Sequence, residues 1–219
     1  TPAGTYSITY RLCETLNPAN CDDAIVSVTV DAAPLVATDD SATGVDGAAG
    51  GTVAGLNVLA NDTLDGVAVV AADVSIAPVT TGPLTVNADG TVNVAPGTAA
   101  GTYLVTYQVC EVLNPANCDS ADVSVTVGAS VIVAGDDTVT GINGLAGNAS
   151  VVNAFGNDTM NGGPLNLAAL TPAIVTPSAN PNVALDLVTG TVSVAADTPA
   201  GTYSITYRLC ETLNPANCD

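Results

Sequence analysis

The stretch CETLNPANCD occupies positions 13–22 and again 210–219, and CEVLNPANCD occupies 110–119. A cysteine-bounded decapeptide written three times at a regular distance restricts the chain to a tandem array. The flanks keep the same step. Residues 1–22 (TPAGTYSITYRLCETLNPANCD) and 198–219 are identical at all 22 positions, and 98–119 is a divergent copy. From Thr1 to Thr98 is 97 residues, and from Thr98 to Thr198 is 100. VATDDSATG at 36 recurs as VAGDDTVTG at 133, and NVLANDTLDG at 57 recurs as NAFGNDTMNG at 153. The unit has the size of a small domain, and two domain types alternate. The phase of the repeat predicts that 1–35 is the C-terminal part (last two strands) of a preceding domain. It predicts a complete domain at 36–129 and a second domain, lacking its last strand, at 130–219. The segment DAIVSVTV at 23–30 is the one expected to follow position 219. Two readings fit: a window of a longer tandem chain, or strand exchange between neighbouring chains. The start at Thr1, without Met, suggests processing or an excerpt.

Within 36–129 the apolar residues alternate with period two. TYLVTYQVC at 102–110 places Tyr103, Val105, Tyr107 and Val109 on one face, and ADVSVTV at 121–127 repeats the pattern with Val123, Val125 and Val127. Further strands are expected at 41–45, 52–60, 67–79, 84–87 and 91–95, with a tight Asp89-Gly90 turn between the last two. Short alternating strands separated by turn signals predict an all-β fold, an antiparallel β-sandwich of about one hundred residues. Hydrophobic residues make up 47% of the chain, enough for real cores despite a net charge of −19. Up-and-down strand order gathers NDTLDG, NADG, the cysteine loop and Asp39-Asp40 at one pole of the domain.

Charge excludes several functions. Only Arg11 and Arg208 oppose 21 acids, so no basic patch exists to neutralise nucleic-acid phosphate, and anionic lipid should repel the chain. No apolar run is long enough for a membrane helix, and no signal-peptide pattern is present. With no His and no Lys there is neither the usual general base nor an amine nucleophile, so the chain is not expected to be an enzyme. Absence of Lys also rules out isopeptide cross-links.

The six cysteines form three pairs with seven residues between partners: Cys13 and Cys21, Cys110 and Cys118, Cys210 and Cys218. Each pair closes a hairpin loop, where strand ends approach disulfide distance. Local disulfides predict an oxidising, extracellular or cell-surface location. Two Cys per repeat without His make no zinc cage, and the spacing is not that of Cys-x-x-Cys redox sites.

The acids of the pole are Asp39, Asp40 and Asp62 in one repeat and Asp136, Asp137 and Asp158 in the next, with Asp65 and Asp89 near the first group. Two carboxylates ~4 Å apart repel by about 4 kcal/mol at an effective dielectric near 20. A cluster without bases calls for a cation, and all-oxygen donors select Ca²⁺. The plainer reading is that these are solvated turn residues. NDT at 61–63 and 157–159, and NAS at 148–150, match the weak three-residue glycosylation pattern.

The run VATDDSATG, VLANDTLDG, LTVNADGTVNVAPGTAAGTYLVTYQVCE and ADVSVTV resembles the Ig-like and cadherin-like tandem repeats of bacterial surface proteins and giant adhesins, over nearly the whole chain. The resemblance implies tandem Ig-like sandwiches in an elongated extracellular array, often rigidified by calcium between domains. It transfers the ion to Asp39, Asp40, Asn61 and Asp62, and to Asp136, Asp137, Asn157 and Asp158. The cysteine loop is an addition to that pattern. The expected function is therefore a structural segment of an extracellular bacterial filament, with identical copies joined head to tail in a fibre. The alternatives are an adhesin stalk and a glycan-binding module. Scarcity of aromatic residues, 3% of the chain, weakens the glycan reading because sugars stack on exposed rings.

Overall fold

The computed structural model describes residues 1–219. Strands β1 (Gly4–Cys13) and β2 (Cys21–Val30) form an antiparallel hairpin, in register from Gly4 opposite Val30 to Cys13 opposite Cys21. Alternation sets Tyr6, Ile8, Tyr10 and Leu12 on one face with Val26 and Val28, and all six are exposed. On the other face Arg11 makes a forked ion pair with the facing Asp23, at 2.7 and 2.9 Å.

The next strands are β3 (Leu35–Val36), β4 (Asp40–Asp46), β5 (Gly51–Asn57), β6 (Thr63–Leu64), β7 (Val67–Ala68), β8 (Val74–Ile76), β9 (Val79–Thr81), β10 (Leu84–Val86), β11 (Thr91–Val94), β12 (Gly101–Glu111) and β13 (Cys118–Gly128). They make two four-stranded sheets, ordered β5-β11-β10-β9 and β4-β13-β12-β8, and a small sheet β3-β6-β7. This is an all-β, Ig-like antiparallel sandwich. Buried rows from both sheets build its core: Leu84, Val86, Val92 and Val94 from one, Val105, Tyr107, Val109, Val123 and Val125 from the other. The interrupted run expected as one strand over 67–79 is divided among three sheets: β7 joins the small sheet, β8 one four-stranded sheet, and β9, which begins at Val79, the other, with Pro78, which has no N–H to give to a ladder, between β8 and β9.

The remaining strands are β14 (Ile132–Val133), β15 (Asn148–Asn153), β16 (Thr159–Met160), β17 (Gly163–Pro164), β18 (Leu170–Thr176), β19 (Val183–Leu185), β20 (Thr191–Val194) and β21 (Thr206–Glu211). They pair as β14-β16-β17, β15-β20-β19 and β18-β21. Ile132, Phe155, Met160, Leu170, Leu185 and Leu209 form the core, with Phe155 edge-on to Tyr207 at 5.6 Å between ring centres. Residues 137–143, the counterpart of β4, form no ladder.

By proximity the chain divides into two compact units. One comprises Thr1–Ala42, Gly51–Val94 and Thr102–Val125, and the other Thr43–Gly50, Ala95–Gly101 and Thr126–Asp219. These units follow proximity rather than the sequence period. Two turns of the middle repeat, tied by Thr98 N–H to Gly47 O at 2.8 Å, group with the residues that come after them.

Candidate functional site

The repeated loop is built the same way three times. Disulfides Cys13–Cys21, Cys110–Cys118 and Cys210–Cys218 bring their Cα atoms to 4.1 Å. Inside each clasp one backbone bond closes the loop: Glu14 N–H to Asn20 O, Glu111 N–H to Asn117 O, and Glu211 N–H to Asn217 O, each 2.9 Å. The Glu after the first Cys is the organising group. Glu111 is buried, and its two oxygens accept Asn114 Nδ2–H at 2.7 Å and Asn117 Nδ2–H at 2.8 Å. Asn117 Nδ2 also donates to Ala33 O at 2.7 Å, tying the loop to the lead into β3. Glu211, equally buried, accepts from Ser130 N–H and Oγ–H and from Asn217 Nδ2–H at 3.0 to 3.2 Å. Burial pushes the Glu211 carboxyl up, but donors on Asn214, Asn217 and Ser130 outweigh it and hold the group below its ordinary value.

That arrangement leaves one loop acceptor facing outward, and it is used. Asn114 gives its Nδ2 to Glu111, and its Oδ1 accepts the backbone N–H of Ala3, in the turn that leads into β1. One repeat later, Asn214 Oδ1 accepts the N–H of Ala100, in the turn that leads into β12, at 2.7 Å. Each bond lies within one compact unit. Ala3 and Ala100 hold the same place in TPAGTY and TAAGTY, as Asn114 and Asn214 do in LNPAN. Sequence reading found the clasp and missed Glu111, Asn114, Asn117 and Ala3. The available signal was that all four recur with the cysteines.

The acids are placed differently. Asp62, 1% exposed, accepts Thr38 N–H at 2.8 Å, and the Tyr107 hydroxyl lies at 3.2 and 3.3 Å from its oxygens and 3.0 Å from Val58 O. Asp158 repeats this, with Gly135 N–H at 2.7 Å and Tyr207 Oη–H at 2.9 Å. Burial, then the neighbouring carboxylates, raise the Tyr107 hydroxyl far above its ordinary value. Asp39 Oδ1 accepts Asp122 N–H at 2.8 Å, while Asn61 and Asn157 donate to the carbonyls of Asp39 and Asp136 at 3.2 Å. Asp65 turns the chain with φ 54°, and Asp89 caps its own turn through Thr91. Burial, then Asp62 and Asp39, push Asp40 up to about 6. In the second group burial, then Asp158 and Asp136, raise Asp137.

The structure thus places Asp39, Asp40, Asn61 and Asp62 near one another, and Asp136, Asp137, Asn157 and Asp158 likewise. It gathers no three acids into a ligand set for a metal ion. Asp62 and Asp158 are buried acceptors that pin the start of each repeat to its core Tyr. The oxygen left over is Asp40 Oδ2, buried with no hydrogen-bond partner.

No protein-family model matches the sequence. No curated protein matches it either. Among solved structures the chain is similar to extracellular cadherin domains 3–6 of protocadherin gamma B2, at 13% identity and TM-score 0.32, over 94% of this chain and 56% of that one. It is similar to mouse protocadherin-24 EC1-3, at 15% identity and TM-score 0.33, over 97% and 75%. It is also similar to mouse cadherin-23 EC22-24, at 14% identity and TM-score 0.35, over 94% and 68%. The chain spans about half the length of the first protocadherin structures it matches, 56% and 55%. No helix is long and apolar enough to cross a membrane.

Proposed function

We propose that the chain is a repeat segment of an extracellular bacterial filament whose Ig-like repeats are joined head to tail, and that the clasped LNPAN loop is the joint. One observation carries this: the same side-chain-to-backbone bond recurs at successive repeats, Asn114 to Ala3 and Asn214 to Ala100. The loop carries a disulfide and a buried Glu, so its Asn is positioned before it meets a neighbour, which lowers the cost of ordering. Three local disulfides support an oxidising compartment, and repeats that meet their neighbours through the same bond suit an array. Hydrogen exchange tests the joint. The amides of Ala3 and Ala100 are expected to be protected in the unaltered chain and released in an Asn114→Ala, Asn214→Ala variant. Unprotected Ala3 and Ala100 amides, with β12 still protected, would overturn the proposal.

A second reading adds calcium, and Asp40 Oδ2 favours it, because a buried carboxylate oxygen without a donor is one that a hard cation would satisfy. Asp39 and Asp40 would hold the ion, which would supply the positive charge that this pole lacks. Calcium titrated into chelator-stripped protein should then raise the melting temperature in a concentration-dependent way. A melting curve unchanged by excess chelator removes the ion and leaves the joint untouched.

A further inference from the structure

Besides Asn214 and Ala100, a second pair of residues meets where the repeats join. Asp46 turns the chain at the end of β4: its Oδ1 accepts Ala48 N–H at 2.9 Å, and its backbone O accepts Gly50 N–H at 3.1 Å. Thr98 N–H, bonded to Gly47 O, ties this turn to the one that carries Ala100. Asn161, in the turn between β16 and β17, has φ 52° and is fixed twice by Val131: its N–H donates to Val131 O at 2.7 Å, and its Oδ1 accepts Val131 N–H at 2.8 Å. With those bonds made, one oxygen of Asp46 and the amide of Asn161 are left over. They face each other within one compact unit, Nδ2–H to Oδ2 at 3.5 Å. Both residues are exposed and the bond is long, so it adds little strength. What it carries is a match of charge and donor.

The two repeat types exchange these residues. VDGAAG at 45–50 becomes INGLAG at 142–147, and NDTLDG at 61–66 becomes NDTMNG at 157–162, so Asn143 stands in the place of Asp46 and Asp65 in the place of Asn161. The backbones agree. Asn143 Oδ1 accepts Leu145 N–H at 3.0 Å, and its backbone O accepts Gly147 N–H at 2.9 Å. Asp65, with φ 54°, donates its N–H to Pro34 O at 2.8 Å. We infer that this acid–amide pair selects the neighbour: a repeat of either type accepts the other type beside it and disfavours its own. The inference rests on the head-to-tail reading of the joint. The first type before the second sets Asp46 against Asn161, and the second before the first sets Asn143 against Asp65, so either mixed order pairs one carboxylate with one amide. Two repeats of the first type would set carboxylate against carboxylate, and at ~4 Å in water that repulsion disfavours contact about fivefold. Two of the second type would set amide N–H against amide N–H, with the oxygen of the Asn143 place already taken by its own turn.

Two isosteric substitutions reproduce all four pairings in the 219-residue chain, read by hydrogen exchange at the Ala100 amide. Asn161→Asp sets acid against acid and is expected to speed Ala100 exchange about fivefold at low salt, an effect that shrinks at high salt as the charges are screened. Asp46→Asn sets amide against amide and speeds it about twofold, the worth of one exposed contact. The double variant restores one acid and one amide in exchanged places, and exchange returns to the parent rate. Continued protection of β12 shows that the repeat stays folded in each variant. An Asn161→Asp variant that exchanges like the parent, or a double variant as fast as Asn161→Asp, overturns the inference. An Ala100 amide unprotected in the parent removes the joint and the pair with it. One that is protected but indifferent to all three variants removes only the pair.

Discussion

Replacing Tyr107 by Phe removes one oxygen and leaves the ring in place. Tyr107 is 1% exposed, and its hydroxyl sits between Val58 O and both oxygens of the buried Asp62. Without it the Asp62 carboxylate keeps only Thr38 N–H, and Val58 O loses its side-chain donor. A hydrogen bond to a buried charged group contributes about 1.5–3 kcal/mol, and an acceptor left unsatisfied costs a similar amount. The expected loss is about 2 kcal/mol. At about 2–4 °C per kcal/mol for a chain of this size, the melting transition should fall by about 4–8 °C. The repeat supplies its own controls. Tyr207 makes the matching bonds to Ala154 O and Asp158 at 2.8 and 2.9 Å, so Tyr207→Phe should have a comparable effect. Tyr10 holds the same place in β1 but is 43% exposed, and its hydroxyl has no partner in the chain, so Tyr10→Phe should leave the transition where it was. Calorimetry of the three single variants reads this directly. A silent Tyr107→Phe would refute the claim that Asp62 is a structural acceptor. A destabilising Tyr10→Phe would show that the apolar face of β1 is covered in solution.

Three further substitutions probe the same pole and loop. Asp40 is raised from 3.8 to about 6, so its folded form keeps a proton that the unfolded form releases, and its contribution is full below pH 3.8 and lost as pH rises through about 6. At about 1.36 kcal/mol per pH unit the ceiling is about 3 kcal/mol, reduced to about 1–2 by solvent access. Asp40→Asn should therefore raise the urea midpoint well above pH 6 and leave it unchanged near pH 4. A lower midpoint above pH 6 contradicts the sign. Gly90 has φ 81°, and a Cβ there would lie 2.4 Å from Asn57 Oδ1, whose amide holds the turn through Asp89 O. Gly90→Ala should cost about 2 kcal/mol in the urea midpoint, and an unmoved midpoint would refute the clash. Glu111→Gln sets an amide donor against the Asn114 and Asn117 donors; exchange at the Ala3 amide should accelerate with the Cys110–Cys118 bond intact, and continued protection would show that Glu111 does not position Asn114.

The period, the all-β class and the three cystine loops were legible in the sequence because each is local. Alternation at Tyr103, Val105, Tyr107 and Val109 sets a strand's buried face without reference to its partners, and a pair of cysteines eight positions apart closes on itself. What each acid and amide bonds to was not legible, because that depends on which strands come together. Asp62 reads from its neighbours as a loop carboxylate at a pole; only the arrival of Thr38 and Tyr107, 24 and 45 residues away, makes it a buried acceptor. Asn114 reads as a turn residue before Pro115. Its Oδ1 meets a backbone N–H 111 residues earlier in the chain. Pairing at that distance is decided by the packing of whole strands, which leaves no trace in local spacing. Tertiary structure alone therefore divided the repeated polar residues into those that hold a repeat together and those that hold it to its neighbour.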